Sequence, residues 1–236
     1  MANSVIQIKN LTKSYGKTVQ ALKNVNLDLK AGTTVGLLGP NGSGKTTLIK
    51  VLTGLLKQFE GDVIVNGEKI DNKSKALVSY LPDQLYFDNW MKINDLKAYF
   101  KDMFADFNEE RFNQLLASFK IEDRGLIKKM SKGNKEKLQL ALVLSRDAKV
   151  YIFDEPIGGV DPALRDIILE TIKNYRNEEA LVILSTHQIY DVENLFDEVI
   201  FLKSGEVFLH KPTKEVTDEY GKSLLETFKE VFRNVV

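Results

Sequence analysis

The sequence predicts an α/β fold: a substantially parallel sheet with helices between its strands and a mostly helical segment inserted part-way along the chain. Three observations point there. Strand-like runs alternate with helical stretches, the pattern of parallel strands joined by crossovers. A glycine-rich loop, Gly39-Pro40-Asn41-Gly42-Ser43-Gly44-Lys45-Thr46-Thr47, lies between an apolar run and a helix-like segment. From about Leu85 to Arg146 the pattern changes to aromatic and charged residues recurring at helical spacing.

Taken in order, residues 5–9 and 25–29 alternate apolar and polar side chains and read as half-buried strands. Gly32 turns the chain into a strand over 33–38, and a helix follows the loop over 47–52. Residues 61–67 form a short strand ending at a turn, and 77–81 form another that Pro82 stops. In the inserted segment, Leu96, Tyr99, Phe100, Met103 and Phe104, then Phe112, Leu115, Leu116 and Phe119, mark apolar helix faces. Such clusters are ordinary packed core or a docking face far more often than a cofactor site. Strands return at 150–153, 181–185 and 199–202, separated by helical stretches at 163–175 and 189–195. A turn over 203–206 leads into a strand at 207–210, and apolar positions 224, 225, 228, 231 and 232 predict a closing amphipathic helix over 223–232.

A chain of 236 residues is long enough for one large domain with a subdomain and a sizeable core. Lys+Arg and Asp+Glu both number 33, so no global field attracts nucleic acid, and no direct nucleic-acid binding is expected. Cysteine is absent, which excludes disulfides and thiolate zinc sites. The first eight residues lack a basic-then-apolar signal pattern. The longest apolar runs, 141–144 and 180–184, fall far short of the roughly 20 residues that span a bilayer. Work at a membrane would need another chain as anchor.

The glycine-rich loop has the Walker A pattern, G-x-x-x-x-G-K-[ST]. Its glycines let successive main-chain N–H groups point at phosphate oxygens, and the helix behind adds its positive end. Lys45 reaches the β- and γ-phosphates, and the Thr46 hydroxyl binds Mg²⁺. Val150-Tyr151-Ile152-Phe153-Asp154-Glu155 is an apolar strand ending in two carboxylates, the Walker B pattern. Asp154 at the strand end can hold magnesium through water, and Glu155 can take a proton from an attacking water. Alone, two acids capping a strand are common; beside a P-loop they become a site. His187 ends another apolar strand, Leu184-Ser185-Thr186-His187, where imidazole can touch both a γ-phosphate and the catalytic carboxylate. His210 follows a hairpin turn with no constellation around it and reads as a surface residue.

Met130-Ser131-Lys132-Gly133-Asn134 opens a helix over 135–145, just upstream of the Walker B strand. That order resembles the nucleotide-binding subunit of ABC transporters, whose signature is Leu-Ser-Gly-Gly-Gln. Ser131 and Gly133 match it, while Lys132 and Asn134 depart. The Ser-Lys-Gly variant resembles the exporter-type subunits that pair with ABC-2-class membrane proteins. The resemblance runs from about Val5 to His210 and implies the ABC ATPase fold. That is a P-loop NTPase core with an N-terminal antiparallel β subdomain (1–84 and 147–236) and a helical subdomain (85–146), together one domain over 1–236.

The resemblance also implies site residues. Tyr15 would stack on adenine, and Gly39, Asn41, Gly42, Ser43, Gly44, Lys45, Thr46 and Thr47 would cradle ATP. Thr46, Asp154 and Asp83 would attend Mg²⁺, and Glu155, His187 and Lys45 would be catalytic. Asp161, in Gly159-Val160-Asp161, would be the D-loop acid. Ser131 and Gly133 would complete the ATP site of a second subunit. The family's magnesium-side glutamine is missing at Tyr80-Leu81-Pro82-Asp83-Gln84. The gapless alignment puts Asp83 there, and a one-residue slip would put Gln84. The implied partners are a polytopic membrane subunit docking near Phe87, Trp90 and Met91, and a second ATPase subunit, identical or not. The implied place is cytoplasmic, peripheral on the inner face of the membrane. A soluble ABC-type ATPase acting on ribosomes or DNA is disfavoured by a single P-loop, no coiled-coil arm and no basic excess. An ATP sensor with little turnover is disfavoured by Glu155.

Overall fold

Strands buried on both faces need apolar side chains at nearly every position, and three strands here come close: all residues of 34–38, 150–154 and 181–185 are buried, with Thr34, Asp154 and Ser185 the polar exceptions at the strand ends. The structure, a computed structural model, describes residues 4–233 other than Lys17, Asn89 and Arg124, and the main chain only of Asn72 and Lys73. The first three residues, part of the N-terminal reading above, lie outside the described residues.

The order is β1 (Ser4–Tyr15), β2 (Val19–Lys30), β3 (Thr34–Leu38), α1 (Lys45–Leu52), β4 (Glu60–Val65), β5 (Glu68–Lys69), α2 (Asn72–Ala76) and β6 (Val78–Leu81). Then come α3 (Ile93–Met103), α4 (Glu109–Ser118), α5 (Lys132–Leu144), β7 (Val150–Asp154), α6 (Pro162–Tyr175) and β8 (Leu181–Ser185). The chain closes with β9 (Glu198–Lys203), β10 (Glu206–Pro212), α7 (Thr213–Tyr220) and α8 (Leu224–Phe232). One sheet has the order β10-β9-β3-β8-β7-β6, parallel throughout except for the β9–β10 hairpin. The other is antiparallel, β2-β1-β4-β5.

The period of two along each strand sorts the side chains into two cores. Tyr151, Phe153, Val182, Leu184, Val199 and Phe201 face a core shared with the helices from α3 to α8. Val150, Ile152, Leu181, Ile183, Ile200 and Leu202 face the other, shared with α1 and the antiparallel sheet. The register sets Asp154 opposite Ser185, Leu37 opposite Ser185 and Leu81 opposite Phe153. The loops leaving β3, β6, β7 and β8 therefore emerge together at the carboxyl edge of the parallel strands, where open α/β sheets bind ligands.

Several elements differ from the sequence reading: β2 begins at Val19 rather than at residue 25, and β5, α2 and α7 are additional. β1 runs on to Tyr15, because register shifts after Ile8 and a left-handed Asn10 (φ 52°) break the alternation that the eye follows. Residues 189–195 are two single 3₁₀ turns, Ile189–Asp191 and Glu193–Leu195, rather than one helix. The signature helix starts at Lys132, three residues early, because Ser131 caps it. His210 is also reassigned: it is half-buried, and its Nε2 lies 2.8 Å from Glu198 Oε2, a cross-strand partner that its sequence neighbours do not reveal.

Candidate functional site

β3 ends at Leu38 and the chain curls through the glycine loop into α1, whose N-cap is Gly44 at φ 108°. Only glycine suits that position: its φ is left-handed, and a Cβ would lie 2.5 Å from the Ala21 carbonyl oxygen. With no side chain capping α1, its first-turn N–H groups are available to an anion. Gly42 has open space where a Cβ would stand. Ser43 Oγ is buried without a hydrogen-bond partner, an orphan donor inside the loop. The Lys45 ammonium folds over the loop and donates to the carbonyl oxygens of Gly39 (2.7 Å) and Pro40 (3.2 Å). Burial pushes its amine below the usual lysine range, while the carboxylates of Glu155 and Asp154 work in the opposite direction.

The carboxylates come from β7. Asp154 is buried, and burial raises its carboxyl above the ordinary range; Ser185 opposes that rise by donating its hydroxyl to Oδ1 at 2.5 Å. The negative charges of Asp83 and Glu155 add to the rise, and Lys45 counters it. Glu155 adopts φ 51°, a left-handed conformation that costs a non-glycine residue about 1–2 kcal/mol. That turn is held by its own N–H, which donates to Ser185 O (3.0 Å) and Oγ (3.2 Å). The side chain is thereby aimed at His187: Glu155 Oε2 lies 2.8 Å from Nδ1 and accepts the His187 main-chain N–H at 3.3 Å. Tyr80 leans toward the same cluster. Burial raises its phenol, as do the charges of Asp154 and Asp83 and a hydrogen bond to Asp154.

The structure thus brings Lys45, Asp83, Asp154, Glu155 and His187 into one electrostatic cluster. Among the described residues, no hydrogen bond or ion pair joins Tyr15, Ser131, Gly133 or Asp161 to it. Tyr15 ends β1 half-exposed, with the Lys13 ammonium 5.2 Å above its ring. Ser131 caps α5, accepting the Asn134 N–H at 3.3 Å, and Asp161 caps α6, accepting the Leu164 N–H at 3.0 Å. Near the expected docking face, Trp90 is exposed with Leu85, Tyr86, Tyr99 and Met103, whereas Phe87 and Met91 are partly buried against the core.

Two residues of the cluster had no role in the sequence reading. Ser185 is signalled by a lone hydroxyl ending an all-apolar strand in register with Asp154. Tyr80 carries no signal, since a tyrosine in a strand is ordinary core.

Residues 22–158, more than half of the chain, match the family described as ABC transporter. The chain is 30% identical over 235 residues to the lantibiotic transport ATP-binding protein SrtF of Streptococcus pyogenes, covering 98% of this chain and 97% of that one. This chain is an ABC transporter family ATP-binding protein. It is also 35% identical over 211 residues to an uncharacterised ABC transporter ATP-binding protein of Methanocaldococcus jannaschii, covering 85% of this chain and 74% of that one. A solved ATP-binding subunit of an ABC transporter superposes with TM-score 0.86 at 26% identity, over 97% of this chain and 99% of the other. A dimeric cassette in a post-hydrolysis state with ADP and Pi shares the fold at TM-score 0.74 and 23% identity, over 88% of this chain and 98% of the other. The fold is the ABC ATPase fold, and the chain is an ATPase that uses ATP with Mg²⁺.

Proposed function

We propose that this chain hydrolyses ATP at the cluster between the P-loop and the end of β7, as half of a pair of ATP-binding subunits driving a separate membrane subunit. The observation that carries the reading is the Glu155 carboxylate, aimed at His187 from a strained turn directly after the buried Asp154.

The loop residues Gly39, Asn41, Gly42, Ser43, Gly44 and Thr47 hold the phosphates, with Tyr15 against the base. The partnerless Ser43 hydroxyl and the uncapped start of α1 fit a triphosphate. Binding draws the Lys45 ammonium off the Gly39 and Pro40 carbonyls onto the phosphates. Among the described residues, no three acidic or histidine side chains form a metal cage. Thr46 and Asp154 would hold Mg²⁺, with Asp83 beside them, and the ion would neutralise charge on the phosphates. So few protein ligands suit an ion that keeps several waters. Glu155 orients water and takes its proton as the water oxygen attacks the γ-phosphorus, while His187 fixes the carboxylate in place.

The second subunit is inferred from Ser131, Gly133 and Asp161. They stand at helix N-termini with only their own helix to serve, which suits a phosphate brought by another copy. The exposed patch around Trp90 and Tyr86 suits a docking segment of a membrane subunit on the cytoplasmic side. The division into a core (1–84 and 147–236) and a helical subdomain (85–146) would let that patch move with α5. The Ser131-Lys132-Gly133 variant of the signature, which resembles exporter-type subunits, favours outward transport.

The test is Lys45→Ala. Among the described residues, its ammonium hydrogen-bonds two loop carbonyl oxygens and no side chain, so the variant should keep the fold and lose tight MgATP binding and turnover. Wild-type affinity and turnover would remove the P-loop from the mechanism.

A further inference from the structure

Gln139 lies in the middle of α5, where a helix packed against the core would ordinarily carry an apolar side chain. It is only 4% exposed. Its Nε2 donates to the carbonyl oxygens of Pro82 (3.1 Å) and Gln84 (3.4 Å), one on each side of Asp83. Its Oε1 is buried with no partner. The amide also lines a cleft of about 310 Å³ between α5 and the core, where Asp83 and Glu155 both appear.

An unpaired buried amide oxygen costs about 1–3 kcal/mol, so packing alone would favour methionine or leucine here. What the amide supplies in return is the pair of donors that bracket Asp83. Residues 82–84 form an exposed turn with no other side-chain hydrogen bond among the described residues, so little else ties it to α5. A second tie lies one strand turn back, where the buried Ser79 Oγ donates to Val143 O at 2.8 Å. Ser79 anchors β6 itself; among the described residues, Gln139 alone gives the turn beyond it a side-chain hydrogen bond.

We propose that Gln139 is a positioning residue: it straps the Pro82-Asp83-Gln84 turn to α5, so that the Asp83 carboxylate stays beside Asp154 and follows α5 when that helix moves. This rests on the reading of Asp83 as the magnesium-side residue. The strap links two halves of the machinery within one chain. The N-terminus of α5 carries Ser131, which would meet the second subunit's nucleotide. The middle of α5, through Gln139, sets the acid that attends this chain's own metal.

The test compares Gln139→Met, Asp83→Asn and the double variant. Methionine keeps the length and apolar volume of glutamine and removes both donors and the orphan oxygen, so the fold should be retained with an unfolding midpoint equal to or above wild type. Two readouts avoid turnover. Amide hydrogen exchange of nucleotide-free protein should quicken in residues 81–85 and stay unchanged in β7. The Mg²⁺ concentration for half-maximal binding of a non-hydrolysable ATP analogue should rise about tenfold, the low end for an outer-shell partner of a metal site. In the Asp83→Asn background, Gln139→Met should add nothing to that rise. If Asp83→Asn shifts the Mg²⁺ dependence and Gln139→Met does not, or the two shifts simply add, the strap is refuted and the role of Asp83 stands. If Asp83→Asn leaves the Mg²⁺ dependence unchanged, the assignment of Asp83 fails and the strap's function fails with it.

Discussion

Asp154 is a carboxylate that the fold holds at a loss. It is buried at the end of β7, its carboxyl raised chiefly by desolvation, and the Ser185 hydroxyl offsets only part of that. A folded-state value above the unfolded one means that the ionised acid opposes folding above the folded value. Below the unfolded value, about pH 4, the penalty is gone. Asp154→Asn keeps an oxygen for Ser185 and removes the charge. Without nucleotide, the variant should therefore resist urea better than wild type at neutral pH. The gap should close as pH falls through the raised Asp154 value toward the unfolded one, and Mg²⁺-dependent ATP binding should be lost. Urea melts across pH decide this; a variant less stable at neutral pH would mean that Ser185 and Lys45 outweigh burial. Glu155 shows the same trade in its backbone, a left-handed glutamate held by Ser185 at its N–H and by His187 at its carboxylate.

At the level of elements, α5 has a cap with two uses that substitution can separate. Ser131 Oγ accepts the Asn134 N–H. Losing that cap in Ser131→Ala should cost about 1 kcal/mol of stability, and Ser131→Asn should restore it. Neither variant has the hydroxyl that a second subunit's phosphate would meet, so both should hydrolyse ATP poorly at protein concentrations that favour pairing. Thermal melts beside phosphate release would settle it: if asparagine restored hydrolysis together with stability, Ser131 would be a cap and nothing more. The P-loop, the Walker B strand and the closing helix were legible in the sequence, because each is a short-range pattern with one physical cause; the helix after Ser131 was legible too, but its start was placed three residues late. Other features depend on partners distant in sequence. β1 continues past its bulges only because β2 and β4 pair with it. α7 buries one apolar residue, Val216, and shows no periodic stripe. His210 looked solitary until β9 brought Glu198 beside it. Gln139 reads as a polar interruption of an apolar helix until Pro82 and Gln84 are folded over it.

For the whole molecule, the proposed ATP site would be divided between surfaces that one copy of this chain does not bring together. The P-loop, Asp154, Glu155 and His187 share one edge of the parallel sheet, while Ser131 and Asp161 are occupied as caps of α5 and α6. Head-to-tail pairing of two copies would supply each P-loop with the other's α5, and ATP would then be part of the interface. Such a pair should be weak without nucleotide and should come apart after hydrolysis, so the free protein should be mostly monomeric. Glu155→Gln keeps the size and hydrogen bonding of the side chain but cannot take the water's proton. Turnover should fall by about 10²–10⁴-fold, the usual worth of a general base. ATP should then hold the closed pair, since binding favours it and nothing removes the γ-phosphate. Light scattering with MgATP should show a dimer for Glu155→Gln and a monomer for Glu155→Gln combined with Ser131→Arg, whose bulky cation fills the space between the phosphate and α5. A Glu155→Gln protein that stays monomeric at high protein and ATP concentrations would rule out self-pairing and assign the second half-site to a different ATP-binding chain.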